Sequence, residues 1–262
     1  MTATRYLLAR TSFCIFSLGL ASLGLAACGE VTPINGPDAM SAPLDAVQPG
    51  IDASPPDPID ASVPDASLGP LVTLAHSNSQ AIRLNASAFC RKADVTPDVQ
   101  ADNSYFRVFR LVDFDVEGDF QVADVQIGVE SADGSDGTQP AQVFLYTLAE
   151  GLELQRPNLE LVVMQNYQIP DQQVSIHTMP LSVVIPAGAT LVVEFFVPDG
   201  SELNDRFFVG CNNDGEQDPS YIETPSCDSV PDGIVALTMA GTGFENRAVI
   251  LNVRGYDLSR AP

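Results

Sequence analysis

The chain has 262 residues, with 34 acidic and 12 basic side chains, a formal net charge of −22, and as many as 19 glycines and 20 prolines. A surface this acidic repels phosphate backbones and anionic lipid, which argues against nucleic-acid binding and against electrostatic attachment to a membrane. So many backbone breakers favour short strands and turns over long helices, and the length suits one β-sandwich or barrel with a core of its own.

Residues 1–27 open with Arg5 and Arg10 and continue as an apolar run from about Ser12 to Leu25. The run is short and ends in small residues, as a cleaved export signal does and a stable membrane span does not. It closes on Leu25-Ala26-Ala27-Cys28, which resembles the lipobox of bacterial lipoproteins, with Cys28 as the expected lipidation site. Cleavage before Cys28 removes two bases and no acid, so the charge moves from −22 to −24. Gly29, rather than Asp, follows the cysteine, which leans toward the outer membrane and leaves open whether the protein faces the periplasm or the outside.

Residues 28–69 read as a disordered stalk rich in Pro, Asp and Ala. Echoes such as Asp52-Ala53-Ser54-Pro55 and Asp60-Ala61-Ser62 recur, no aromatic is present to be buried, and no Lys or Arg occurs between Cys28 and Arg83. Prolines favour extended conformations and like charges resist collapse, so the expected role is that of a spacer.

From residue 70 to 262 the texture is that of a folded domain. Short apolar runs recur about every ten residues, at 72–76, 81–86, 105–113, 122–130, 141–148, 160–167, 174–181, 190–197, 207–210, 234–239 and 247–254. Val125, Ile127 and Val129 alternate with Gln126, Gly128 and Glu130, the period of a strand buried on one face. Leu191, Val193, Phe195 and Val197 alternate likewise, although Val192 and Phe196 blur the pattern. Turn signals such as Asp133-Gly134, Pro186-Ala187-Gly188 and Pro198-Asp199-Gly200 separate the runs. The expected fold is therefore all-β, an antiparallel sandwich of jelly-roll-like form. Five cysteines are present; with Cys14 in the signal and Cys28 at the anchor, Cys90, Cys211 and Cys227 allow one disulfide and one leftover thiol, and spacing alone does not choose the pair.

Several blocks carry a resemblance. They include Asp102-Asn103-Ser104-Tyr105-Phe106-Arg107-Val108-Phe109, Gln139-Pro140-Ala141-Gln142-Val143, Phe207-Phe208-Val209-Gly210-Cys211-Asn212 and Val249-Ile250-Leu251-Asn252-Val253. In order, over roughly residues 80–256, they resemble a β-sandwich module appended to secreted and surface proteins of bacteria, some extracellular peptidases among them. The resemblance implies fold and secretion rather than an activity. It also implies a Cys90–Cys227 bridge with Cys211 unpaired, against a local Cys211–Cys227 bridge as the rival.

Motifs of chemistry are sparse. Gly-x-Ser-x-Gly and His-Glu-x-x-His are absent, and the two histidines, His76 and His177, each stand alone in a strand-like run. Carboxylate pairs mean little among 34 acids. Tyr105, Tyr146, Tyr167, Tyr221 and Tyr256 could stack on sugars, but tyrosines in strands more often fill sheet faces. Calcium is the one cofactor with candidate ligands, namely Asp133 and Asp136 in one Gly-Asp-rich stretch and Asn212, Asp214 and Asp218 in another. Hard oxygen ligands on loops suit calcium, yet the same residue types form turns for conformational reasons. Cys211 as a nucleophile is disfavoured by Asp214 and Glu216 close by.

The function expected from these features is that of a lipid-anchored envelope protein whose β-sandwich is non-catalytic and serves binding or surface structure. Its partners would be the membrane, through the lipid on Cys28, and a protein or glycan whose identity the sequence leaves open. The alternatives are an envelope hydrolase with a site invisible in sequence and a calcium-stabilised adhesion module. Replacing Cys28 by Ser is expected to release a folded domain that no longer partitions into detergent; a variant that still fractionates with membranes contradicts the lipid anchor.

Overall fold

The computed structural model describes residues 68–91, 99–227, 230–238 and 240–260. The expected signal, the Cys28 lipidation site and all but the last two residues of the expected stalk lie outside the described residues. Among the described residues thirteen strands run in chain order: β1 (Leu71–Leu74), β2 (Asn103–Arg110), β3 (Phe120–Asp133), β4 (Thr138–Leu148), β5 (Leu159–Pro170), β6 (Gln172–Ile185) and β7 (Thr190–Val197), followed by six more. Those are β8 (Arg206–Val209), β9 (Cys211–Asn212), β10 (Tyr221–Glu223), β11 (Val235–Ala236), β12 (Ala248–Val249) and β13 (Leu251–Asp257).

Two antiparallel sheets form the all-β sandwich. One has the order β1-β13-β3-β6, with β8 also pairing β3, and the other has the order β11-β10-β2-β7-β4-β5; a short β12-β9 pair completes it. The topology is that of a rolled ribbon. β3 and β4 form one arm, β5 and β6 the other, and the arms pair with each other as β3·β6 in one sheet and β4·β5 in the other. Both arms change sheets at the same place, where Gly134 N–H donates to Asp171 Oδ1 (2.8 Å) and Asp171 N–H to the Gly137 carbonyl (3.1 Å).

The alternation read from the sequence has its cause in this layering. Val125, Ile127 and Val129 of β3 and Leu191, Val193 and Phe195 of β7 all enter one core between the sheets. Val192 blurs the pattern because the outer face of the six-stranded sheet is covered too: it packs with Phe106, Tyr146 and Leu148 in a second cluster, joined by Leu154 of the β4–β5 loop. Burial of side chains of this size contributes roughly 1.5–3 kcal/mol each.

Several expected strands differ in extent. No strand forms at 81–86: the chain turns there, with Asn85 at φ 58°. The Glu130 carboxylate holds that turn, accepting from the backbone N–H groups of Asn85, Ala86 and Ser87. β2 ends at Arg110 because the chain enters a 3-10 turn, Leu111–Phe114, closed by Asp115 at φ 55°. Of the described residues 234–238 only Val235–Ala236 form a strand, and the run 247–254 is split at Ile250.

The split has a backbone cause. Gly128 N–H donates to the Ile250 carbonyl (2.8 Å), Ile250 N–H to Gly210 (3.1 Å), and Gly210 N–H to Gly128 (2.7 Å), so three chains close a ring of hydrogen bonds where β8 hands over to β13 along β3. A Cβ added at Gly210 would stand 2.7 Å from the Gly128 carbonyl carbon.

The disulfide joins Cys90 to Cys227, with Cα atoms 5.8 Å apart across 137 residues. It ties the segment before β2 to the segment after β10, and a loop of that length corresponds to a chain-entropy stabilisation of about 5 kcal/mol. Cys211 is free and fully buried, paired in register with Val249.

Gly210→Ala is expected to lower stability by about 2–3 kcal/mol, seen as a fall in Tm, because the new methyl meets backbone that has nowhere to move. An unchanged Tm contradicts the close crossing.

Candidate functional site

The outer face of the six-stranded sheet carries a closely connected polar arrangement around Glu194. Register sets it up. Met164 (β5), Phe144 (β4), Glu194 (β7), Phe106 (β2) and Tyr221 (β10) lie in one row across five strands. Asn166, Gln142, Phe196, Ser104 and Glu223 form the next row.

Glu194 is at the centre and only 2 % exposed. A carboxylate removed from water must be paired and hydrogen-bonded, and this one is. Ser104 Oγ donates to its Oε1 (2.6 Å) and Tyr146 OH to its Oε2 (2.8 Å). Arg156 grips both oxygens, Nη2 to Oε1 at 2.7 Å and Nη1 to Oε2 at 2.6 Å, the fork geometry in which guanidinium binds most strongly. Its Nε donates to Glu223 Oε2 (2.8 Å), and its guanidinium carbon lies 4.9 Å from the centre of the Phe106 ring, a cation–π contact.

Arg156 comes from the loop between β4 and β5, in a 3-10 turn with Pro157 as its second residue. Burial alone would lower the pKa of its guanidinium, but hydrogen bonds to Glu194 and Glu223 outweigh this and raise it. Burial, reinforced by the Glu194 charge, pushes the Tyr146 phenol well above its usual range. The network is a fixed set of charges, with Tyr146 held protonated as a donor.

Beside the network lies a shallow cavity of about 280 Å³, with Phe144 and Phe196 as apolar walls and Asp102, Glu223 and Gln142 among its polar groups. Phe144 stacks on Tyr146 with centroids 6.0 Å apart and planes inclined by 8°. Two larger grooves, about 550 and 420 Å³, lie around Arg110, Leu148 and Thr190 of the same sheet. The smaller cavity joins two aromatic walls to a preorganised charge network, the combination that fixes a ligand's orientation.

A second buried ion pair serves the fold. Arg107 is fully buried, pairs with Glu216 (2.9 Å) and donates to the carbonyls of Asp218 and Val249. Burial lowers its pKa while Glu216 opposes the shift. His76 stacks on Phe109 (4.9 Å), and its Nε2 lies 2.8 Å from the Val108 carbonyl, which makes that nitrogen the donor. Burial lowers its pKa, and Asp218 is 3.6 Å away. His177 Nδ1 contacts Gln172 (3.1 Å). Burial pushes the Cys211 thiol up to about 12, so it is not a thiolate at neutral pH.

The calcium candidates fall in two stretches, with Asp133 ending β3, Asn212 ending β9, and Asp136, Asp214 and Asp218 in the turns that follow. Asp133 pairs with Arg206, and Asp136 accepts from Thr138 N–H and Oγ1. Asn212 donates to Ser77 Oγ and the Ser79 carbonyl, Asp214 pairs with Arg83 (2.6 Å), and Asp218 faces His76. Among the described residues no group of three or more His, Cys, Asp or Glu stands where it could hold a metal ion. Of the tyrosines, Tyr105 is in the core and Tyr167 donates to the Pro180 carbonyl, while Tyr146 and Tyr221 belong to the outer-face cluster.

Sequence patterns missed Arg156, Glu194, Ser104, Glu223, Phe144 and Phe196. A signal existed: Arg156 is the only base between Arg110 and Arg206, and Glu194 is the only acid inside the apolar run 191–197. A lone charge in such surroundings asks for a partner.

No family model matches the chain, and no curated protein matches it. Among solved structures, it is similar to the cysteine protease and lectin-like domains of Cwp84, a surface layer associated protein of Clostridium difficile, with a TM-score of 0.42 and 11% identity over 61% of this chain and 33% of that one. The clostridial cysteine protease Cwp84 after propeptide cleavage gives a TM-score of 0.40 and 11% identity, over 74% and 41% of the two chains. The chain thus spans about a third to two fifths of those chains, and likeness at this level assigns no activity.

Arg156→Ala is expected to destabilise the fold by about 2 kcal/mol, since it leaves Glu194 buried and unpaired. Adding Glu194→Gln should recover part of the loss in a denaturation series. Full additivity of the two changes contradicts a direct pair.

Proposed function

We propose that the protein is a lipid-anchored envelope protein whose β-sandwich is a non-catalytic binding module, and that the outer face of its six-stranded sheet takes a glycan. The observation that carries the reading is the Phe144–Phe196 cavity beside the Glu194–Arg156 network. Arg156 commits its donors to Glu194, Glu223 Oε2 and Tyr146, and Asp102 Oδ1 accepts from Asp199 N–H, so the charged acceptors left to meet a ligand are Asp102 Oδ2 and Glu223 Oε1. Such a rim suits a ligand with hydrogen-bond donors next to an apolar face. A pyranose ring has both, in its hydroxyl groups and its C–H face. The strands hold these groups rigidly, which keeps the ordering cost of binding low.

The Leu25–Cys28 motif and the run of Pro, Asp and Ala after it support attachment to the envelope, with Gly29 leaning toward the outer membrane. On this reading the acidic domain is held off the membrane by its stalk, and the lipid supplies the affinity for the bilayer that its charge denies it.

Titration calorimetry of the protein against purified envelope glycans tests the site. Binding is expected, and Phe144→Ala should weaken it about tenfold, or about 1.4 kcal/mol. Binding that Phe144→Ala leaves untouched, or no binding to any envelope glycan, contradicts the assignment. Recovery of shortened glycan chains would move the protein to the hydrolases.

A further inference from the structure

One side of the sandwich departs from the rest in charge. Between Leu161 and Val193 the only charged residue is Asp171, in a chain of net charge −22. That stretch takes in most of β5 and all of β6 before it enters β7; β5 and β6 are each an edge strand of one sheet and lie next to each other, bridged by the Tyr167 hydroxyl on the Pro180 carbonyl (2.7 Å). Leu161, Met164, Val174, Ile176 and Val184 are all exposed there, half of the large exposed hydrophobics among the described residues.

An edge strand offers unpaired N–H and C=O groups, and proteins protect such edges with charge, proline or backbone irregularity. β6 is protected in this way: Pro180 sits within it, and Val174 has φ 47°, a left-handed conformation that breaks the extended ladder. β5 is not. It is 12 residues long, its proline is the last of them, its one bulge lies near its start between Tyr146 and Leu145 of the partner strand, and past Glu160 it carries no charge.

We infer that β5 is the pairing edge for a second copy of this chain, joined antiparallel about a two-fold axis near its C-terminal half. Charge selects the partner. A contact between two copies over the other, acid-rich surfaces brings carboxylates together, whereas β5 against β5 opposes uncharged residues on both sides. A basic partner would be drawn to the acidic faces instead of this strip. In an antiparallel join that continues the sheet, the two-fold axis is perpendicular to it, and both Phe144 cavities then open on the same face.

Sedimentation of the full chain in density-matched detergent tests the pairing without any ligand, so its outcome is independent of the glycan assignment. The wild type is expected to show a concentration-dependent dimer. Gln165→Lys with Gln168→Lys, both exposed on β5, should weaken it at least tenfold, while Gln173→Lys on β6 should leave it intact. A wild type that is monomeric at every concentration overturns the inference. So does a dimer that survives the β5 lysines, or one that the β6 lysine dissolves.

Discussion

A carboxylate buried at the centre of the six-stranded sheet constrains everything on its outer face. Glu194 is held by β7 between β2 and β4, and water cannot neutralise it there. The β4–β5 loop therefore folds back over the sheet to deliver Arg156, and Leu154 of the same loop adds apolar burial against Phe106, Val192 and Leu148. The loop thereby walls the cavity that the binding proposal uses. Ser104 and Tyr146 occupy the remaining lone pairs of Glu194, so the network is closed and rigid and presents a fixed electrostatic surface.

The same logic recurs on the inner side of β2 with a different result. Arg107 points between the sheets, and its partner Glu216 lies in the segment leading to β10, which it draws over the end of the core. Glu216 also holds Ser220 through both its oxygens, and Ser220 Oγ accepts from Val249 N–H. One buried ion pair thus orders a structural loop and the other a candidate binding face. The difference lies in what surrounds them: the first is enclosed by core, the second borders open aromatic walls.

The two edges of the sandwich complete the picture. A strongly acidic protein resists self-association, and the strip formed by β5 and β6 is where that resistance is missing. Two protective devices on β6 and none along most of β5 make the pairing directional. The pairing edge and the outer-face cavity adjoin, since β5 borders β4, whose Phe144 and Tyr146 belong to the outer-face site.

The period-two alternation of β3 and β7 marked strands with one buried face, and the even spacing of the apolar runs with turn signals between them made the antiparallel sandwich legible, because a strand with one buried face must repeat every two residues whatever its neighbours are. The strand runs at 141–148 and 190–197 were legible for the same reason. Shorter pieces such as β9 and β10, at two and three residues, were not, because they hold too few residues to show a period and owe their conformation to the strands they join. The Cys90–Cys227 pairing was implied only by resemblance, and the choice against Cys211 was made by the fold, which places that thiol in the core in register with Val249. The candidate site was hidden most completely. Ser104, Tyr146, Arg156, Glu194 and Glu223 come from four strands and a loop spread over more than a hundred residues, and only sheet register brings them within hydrogen-bonding distance. Local sequence sets which face of a strand is apolar; which side chains meet across strands is decided by register and loop return, and those exist only in the folded chain.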